Sequence, residues 1–367
     1  MHAHFLREVA LIKDQVARQG MMVHENFVMA MEAFIDGDNS LGKRVLEIES
    51  EVDSSEVSLE EECLKAIALH QPVADDLRFL ISVIRANHNL ERIGDQAARI
   101  ARFAGLVLPE SMEPLRLMVR NLGALTSMMI YRAVHALIER AGEEALLIWH
   151  VDRLVDRLHD ETARCIQEEV SKNPAVVKDL FNALDAINRI ERAADHAANI
   201  AKAVLYLVLG HIVRHHRKQT LQEMRMPKIR VLFVDDRDAG SGRMAQSWIN
   251  HAHGDHFTAE SAALHPEEPN PLISAVMAEV GADITAYAPR GLHEYFKTEH
   301  ALDFVIVLGG NPDLLEALPN LPGSACLAWN HPDPATGPDF TDSLDALRTY
   351  RNMLTGVLDR WVKMLLR

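Results

Sequence analysis

The sequence is short of basic residues and of cysteine, and it has no long apolar run. Each scarcity narrows what the chain can be. Lys and Arg number 38 against 53 Asp and Glu, a net charge of −15, which opposes nonspecific attraction to polyanions and argues against a nucleic-acid module. The deficit is general: residues 228–367 hold 11 bases and 19 acids, residues 1–227 hold 27 and 34. Cys63, Cys165 and Cys326 stand far apart with no CxxC spacing, so neither a disulfide framework nor a sulfur-ligated zinc site is expected, and a reducing cytoplasm is the simplest compartment. The longest apolar stretch, Ala203 to Val213, falls well short of the roughly 18 residues that span a bilayer. The amphipathic N-terminus, MHAHFLREVALIKDQ, lacks the apolar core and small-residue cleavage site of a signal peptide. Membrane association is expected only through a partner.

What is present is a soluble composition, 48% hydrophobic and 25% charged over 367 residues, enough for two or three cores at about 150 residues per domain. Proline divides the chain. Before Pro227 there are only Pro72, Pro109, Pro114 and Pro174, whereas ten of the 15 prolines lie in residues 228–367. The first part can therefore sustain long helices and the second is turn-rich. Its breaks delimit six amphipathic stretches, near 3–35, 39–70, 72–104, 114–140, 143–172 and 174–212, which predict six helices in two groups of three. The groups repeat: the segments Glu91 to Ala101 and Glu191 to Ala201 lie 100 residues apart and agree at seven of eleven positions.

The repeat carries acids. Positions 81, 84, 88, 91 and 95 step by 3, 4, 3, 4, the core spacing of a packed helix, and read Ile81, Ile84, His88, Glu91, Asp95; the second copy reads Phe181, Leu184, Asn188, Glu191, Asp195. The preceding helix of each group offers Glu49 and Asp53, then Asp152 and Asp156, again four apart. Facing helices would thus oppose four carboxylates. Buried without a cation these would repel and stay unpaired at a cost of several kcal/mol, so a site for iron, zinc, manganese or magnesium is one reading. The other places Glu91 and Asp95 at the edge of a second seam, Leu90, Ala97, Ile100 and Ala104, paired with Arg92 and Arg99. His88 and His196 are left out of the ligand set, because a lone helical histidine is more often structural.

At these residues the chain resembles the PhoU family. The resemblance spans about 1–215 and rests on Gln71 to Arg78, Asn89 to Asp95, Glu191 to Ala201 and Tyr206 to Gly210. It implies two side-by-side three-helix bundles, expected at 1–107 and 113–216, with multinuclear iron or zinc on Glu91/Asp95 and Glu191/Asp195 together with Glu49/Asp53 and Asp152/Asp156. It also implies a cytoplasmic adaptor, peripheral to the inner membrane, between the phosphate ABC transporter ATPase and the phosphate sensor histidine kinase. Such an adaptor represses the starvation response when phosphate is plentiful, and it is compatible with a homo-oligomer.

Beyond a polar connection, Arg217 to Lys228, the pattern becomes strand and helix in alternation: strands at Ile229–Val234, Phe257–Leu264, Asp303–Leu308 and Ala325–Trp329, helices at 243–253, 271–280 and 341–366. This predicts a parallel sheet covered on both faces. Residues 228–367 resemble the arsenate reductase and low-molecular-weight tyrosine phosphatase family in the strand Val231 to Val234, in Asn270-Pro271 through Ile284, in Phe304 to Leu308 and in Trp329 to Pro334. Activity there requires a cysteine after the first strand and an arginine six residues later to hold the anion. Here those positions are Asp235 and Ser241, and the resolving cysteines expected near Gly309 and Glu316 are absent. Asp333 stands at the general-acid position without a nucleophile. The domain is expected to be a non-catalytic relative, a pseudoenzyme, in which Arg237 or Arg243 could still meet an anion at the Gly240 to Gly242 turn. The alternative is a reductase or phosphatase with a cysteine-free loop. Val234-Asp235-Asp236 is also similar to the acidic pair of receiver domains, but no suitable phosphoacceptor follows the strand-like Ile284 to Tyr287.

Overall fold

The computed structural model describes residues 2–106, 112–172, 176–210, 226–237, 240–268, 271–298, 301–309, 312–330 and 343–366. Two compact units divide at Met226 and Pro227. The first holds α1 (His2–Asp36), α2 (Asn39–His70), α3 (Ala74–Ala101), α4 (Glu113–Glu139), α5 (Gly142–Lys172) and α6 (Val177–Leu209), close to the six stretches foreseen.

Local chemistry sets the ends. Gly37 takes φ 73°, and Asp38 then caps α2, its carboxylate accepting the N–H groups of Ser40 at 2.7 Å and Leu41 at 3.2 Å. Pro114 lies in the first turn of α4, where its missing N–H costs nothing. The helices bury a seam of aliphatic and small residues. Leu80, Val83, Leu90, Ile93, Ala97 and Ile100 of α3 and Ile187, Ile190, Ala193, Ala197 and Val204 of α6 are fully buried. α3 packs on α1, α2 and α6, and α6 on α3, α4 and α5, so all six helices share one compact body. The Ser82 hydroxyl donates across the α3–α6 seam to the Ala203 carbonyl at 3.2 Å. At the α1–α4 contact a Cβ on Gly20 would lie 2.5 Å from a Val134 methyl, so only glycine lets these helices approach so closely. Among the described residues no helix is long and apolar enough to cross a membrane.

The second unit holds β1 (Ile229–Asp235), α7 (Ser241–His253), β2 (Phe257–Ala263), α8 (Pro271–Ala278), α9 (Leu292–Tyr295), β3 (Phe304–Leu308), α10 (Pro312–Glu316), β4 (Ala325–Trp329) and α11 (Leu344–Leu366). Its four strands are parallel in the order β2-β1-β3-β4, with Val231 opposite Ala259 on one side and Phe304 on the other. β1 and β3 are buried almost throughout, as strands covered on both faces must be. The order reverses at β1, which makes the loop after β1 the switch point where open α/β sheets carry their ligands. Two expectations change. The strand-like Ile284 to Tyr287 is turn and irregular backbone, its Asp283 carboxylate capping the turn by accepting the Thr285 N–H at 2.8 Å. The short α9 and α10 were not foreseen, because four or five residues show no helical period.

Candidate metal centre

Two rims of the helical unit carry the candidate site. On the first, Glu49, Asp53 and Glu56 follow one another along α2, and His88, Glu91 and Asp95 along α3. Between them a Cβ on Gly94 would come within 3.2 Å of a Val52 methyl. The bare backbone of Gly94 therefore lets the two helices close and brings the rows face to face. The second rim repeats the plan with Asp152, Asp156 and His159 on α5 and Asn188, Glu191 and Asp195 on α6.

The acids sit at the edge of the seam, which corrects the expectation that positions 81, 84, 88, 91 and 95 form the core stripe. Ile81, Ile84, Glu91 and Asp95 are half-buried, His88 is exposed, and in the second copy Phe181 is 58% exposed. The buried seam is the other one, through Leu90, Ala97, Ile100 and Ala104. Three helices wrap α3, so its buried arc is wider than a single heptad stripe, and alanines and glycine fill it without a strong apolar signal. Glu49, Asp152 and Glu191 are half-buried as well, whereas Asp53, Asp156 and Asp195 are exposed.

Within each rim, burial and neighbouring carboxylates nonetheless raise several of these acids. Burial raises the Glu49 carboxyl above its usual range, and Asp95 and Asp53 push it the same way against Arg102 and Arg99. Burial and then Asp95 do this to Glu91, with Glu56 adding and Arg92 opposing. Asp152 is pushed up to about 7, first by burial and then by Asp156, Asp195 and Glu191, with Lys202 opposing. Asp156 and Glu191 are raised by burial and by the Asp195 carboxylate. The arginine-paired alternative is realised in part: Arg92 lies 3.3 Å from Glu91 Oε2 and 3.7 Å from Asp95. That Glu91 oxygen is buried and, although the Arg92 guanidinium stands beside it, accepts no hydrogen bond, which leaves its desolvation only partly compensated.

Sequence reasoning missed the next step along each rim. The ligand atoms of Glu56, His88 and Glu91 all lie within 4.8 Å of one another, and His88 Nδ1 is 3.4 Å from Glu56. In the second rim the equivalent pair is His159 and Asn188, hydrogen-bonded at 2.8 Å, so the imidazole has changed helices between the copies. Extending the acid ladder by one further step of three would have found Glu56 and His159. His196 stands apart from both rims' rows, its Nδ1 3.0 Å from Asn89 Oδ1 across the α3–α6 seam, with burial lowering its pKa. A groove of about 490 Å³ opens beside the first rim, walled by Glu56, His88, Arg85, Asn89, Lys202 and Tyr206. Rows of carboxylates ending in an imidazole suit hard or borderline cations.

In the second unit the loop after β1 holds a different arrangement. Asp235 is fully buried, and its Oδ2 accepts the Gly242 N–H at 2.7 Å and the Ser241 hydroxyl at 3.2 Å. The carboxylate thus occupies the start of α7, where an anionic ligand would otherwise sit. Arg237 turns to Glu267 at 3.4 Å and Asp236 at 3.8 Å. Arg243 is only 1% exposed, and its Nε and Nη1 have no hydrogen-bond partner among the described residues. Burial raises the Cys326 thiol on β4 to about 11, so it is un-ionised at neutral pH and no substitute nucleophile. Asp333 lies outside the described residues.

The PhoU domain matches at residues 16–104 and 119–204. The phosphate-specific transport system accessory protein PhoU homolog of Pseudomonas aeruginosa is 33% identical over 212 residues, 58% of this chain and 88% of that protein. The crystal structure of PhoU from Pseudomonas aeruginosa aligns with 56% of this chain and all of its own, at 32% identity and a TM-score of 0.54. An arsenate reductase in the phosphate binding state aligns with 37% of this chain and 98% of its own, at 21% identity and a TM-score of 0.31.

Proposed function

The chain belongs to the PhoU family, and from that premise we propose that it is an accessory and regulatory protein of phosphate-specific transport that holds metal ions on its two carboxylate rims. Its partners are the transporter ATPase and the phosphate sensor histidine kinase, and it represses the starvation response when phosphate is plentiful. The residues fit a metal: each rim opposes acids whose carboxyls are raised by burial and by neighbouring carboxylates, and on the first a buried Glu91 oxygen accepts no hydrogen bond. Glu49, Asp53, Glu56, His88, Glu91 and Asp95 would hold iron or zinc on the first rim, and Asp152, Asp156, His159, Glu191 and Asp195 on the second. The ions would neutralise the rims and fix the spacing of α2 to α3 and of α5 to α6, a structural role that needs no turnover.

The observation that carries this reading is the duplication of mutually raised acids. Metal analysis of the purified full chain beside Glu91→Ala/Asp95→Ala and Glu191→Ala/Asp195→Ala tests it: each pair should remove the metal of its own rim, and unchanged content in both would overturn the ligand assignment. For regulation, a deletion strain should express phosphate-starvation genes in phosphate-rich medium; normal repression would overturn that role.

The second unit is a non-catalytic docking or sensing module. Asp235 supports this, since a carboxylate cannot serve as the thiolate nucleophile and here fills the anion position itself. Aryl phosphates and arsenate should be turned over no faster by the full chain than by buffer; measurable turnover would reverse the assignment.

A further inference from the structure

The short turn at residues 37–38 makes α1 and α2 an antiparallel hairpin, so the last residue of α2 returns to the first turns of α1. There His4 and Glu8 share a face of α1 at i, i+4, and His70 reaches them from α2. Glu8 lies between the two rings: its Oε1 is 3.2 Å from His4 Nδ1 and its Oε2 is 2.7 Å from His70 Nε2. The ring centroids are 5.6 Å apart, and the three ligand atoms all lie within 4.8 Å of one another.

We propose that His4, Glu8 and His70 form a separate binding site for one borderline divalent ion of the zinc class. Two imidazoles and one carboxylate are the donor set that such ions prefer, and the set is richer in nitrogen than either rim, where a single imidazole stands among several carboxylates. A tetrahedral ion about 2.0–2.1 Å from each ligand needs them about 3.3 Å apart. The Glu8 carboxylate already meets both rings, His4 through Oε1 and His70 through Oε2, and with one ligand atom from each residue within 4.8 Å of the others small side-chain rotations bring all three to an ion. His70 is positioned for it: its side chain is 11% exposed, and the Phe5 ring stands 5.3 Å from it. His4 is 67% exposed and can rotate inward. Three protein ligands leave further positions to water. From Glu56 to His70 is on the order of 20 Å along α2 at the helical rise, so the site shares no ligand with the rims. Binding would staple the two open ends of the hairpin.

The competing account is a helix-terminal histidine that pairs with Glu8 and the carbonyls of the last turn of α2. Cobalt(II) separates the two. The full chain, stripped with a chelator, is titrated with cobalt(II) and then with zinc(II), beside His4→Gln and His70→Gln. His4→Gln changes an exposed first-turn residue, and its metal-free melting curve should match that of the parent. A four- or five-coordinate nitrogen-containing site gives the parent chain intense visible bands, which zinc abolishes. Each variant should bind this ion at least tenfold more weakly and lose the intense bands that belong to this site. Equal titrations for parent and His4→Gln, or weak six-coordinate bands alone in the parent, would overturn the proposal. Because the parent and its variants have identical rims and only their difference is read, loss of metal there would leave this result standing.

Discussion

Asp235 in the second unit and Asp152 in the first are both withdrawn from water, and their surroundings treat them in opposite ways. Around Asp235 the chain supplies donors: a backbone N–H and a hydroxyl at the start of a helix meet its oxygen. Around Asp152 it supplies more acids in place of donors, and the carboxyl rises to about 7, first because burial penalises its charge and then because Asp156, Asp195 and Glu191 stand beside it. Burial of a charge therefore says little about a site. The unmet requirement for a counter-charge is the informative quantity, and it lies on the helical rims rather than in the loop that occupies the ligand position of the α/β fold.

The same substitution at the two positions should go opposite ways. Asp235→Asn weakens charge-assisted bonds to buried donors and should destabilise the second unit by about 2 kcal/mol. Tryptophan fluorescence in urea would report it, since Trp248, Trp329 and Trp361 all lie in that unit. A change under about 0.5 kcal/mol would show that the loop does not depend on this carboxylate. Asp152→Asn removes a disfavoured charge and should stabilise the metal-free helical unit at pH 8, by no more than about 1 kcal/mol once solvent screening is allowed for. With metal restored the gain should vanish, because a ligand has gone.

pH offers a finer test of the same contrast. The folded pKa of Asp152, about 7, lies above the ordinary aspartate value of 3.8, so between these limits the folded state binds more protons than the unfolded one. Stability from this group is then greatest below about pH 4 and is lost as pH rises through 7. Helical ellipticity in thermal melts of the metal-free chain should show that slope, and Asp152→Asn should flatten it. A parent curve with no fall in that window would refute the raised pKa of Asp152. The smallest effect is expected on exchanging the rims' third step: Glu56→His with His88→Asn gives the first rim the donors of the second, and stability should move within about 0.5 kcal/mol. Metal content is the sensitive reading there: the second rim holds its ion with these same donors, so the complement should be kept, and its loss would mean that the two third steps are not equivalent.

The helices and strands were legible because their signals are local. Pro72 and Pro114, the Asp36 to Asp38 break and the alternation after Lys228 need no tertiary context. The rims were legible only in part. Spacing revealed Glu91, Asp95 and their copies, but it assigned Ile81 and Ile84 to the core, since periodicity on one helix cannot show that α1, α2 and α6 all pack on α3. Glu56 and His159 escaped because one residue type changes helix between the copies, which hides the repeat from a comparison made along the chain. His70 and His4 are 66 positions apart in sequence and meet only because the hairpin closes on itself.

The amino-acid order alone determined that the chain has a duplicated helical part and an α/β part, and that acids recur at fixed steps in the first. Which arc of each helix is buried, which acids confront one another, and that Asp235 satisfies its own loop were decided by packing. Proline, glycine and apolar periodicity act within a few residues of themselves, whereas burial and Coulomb interactions depend on what other helices bring within a few ångströms.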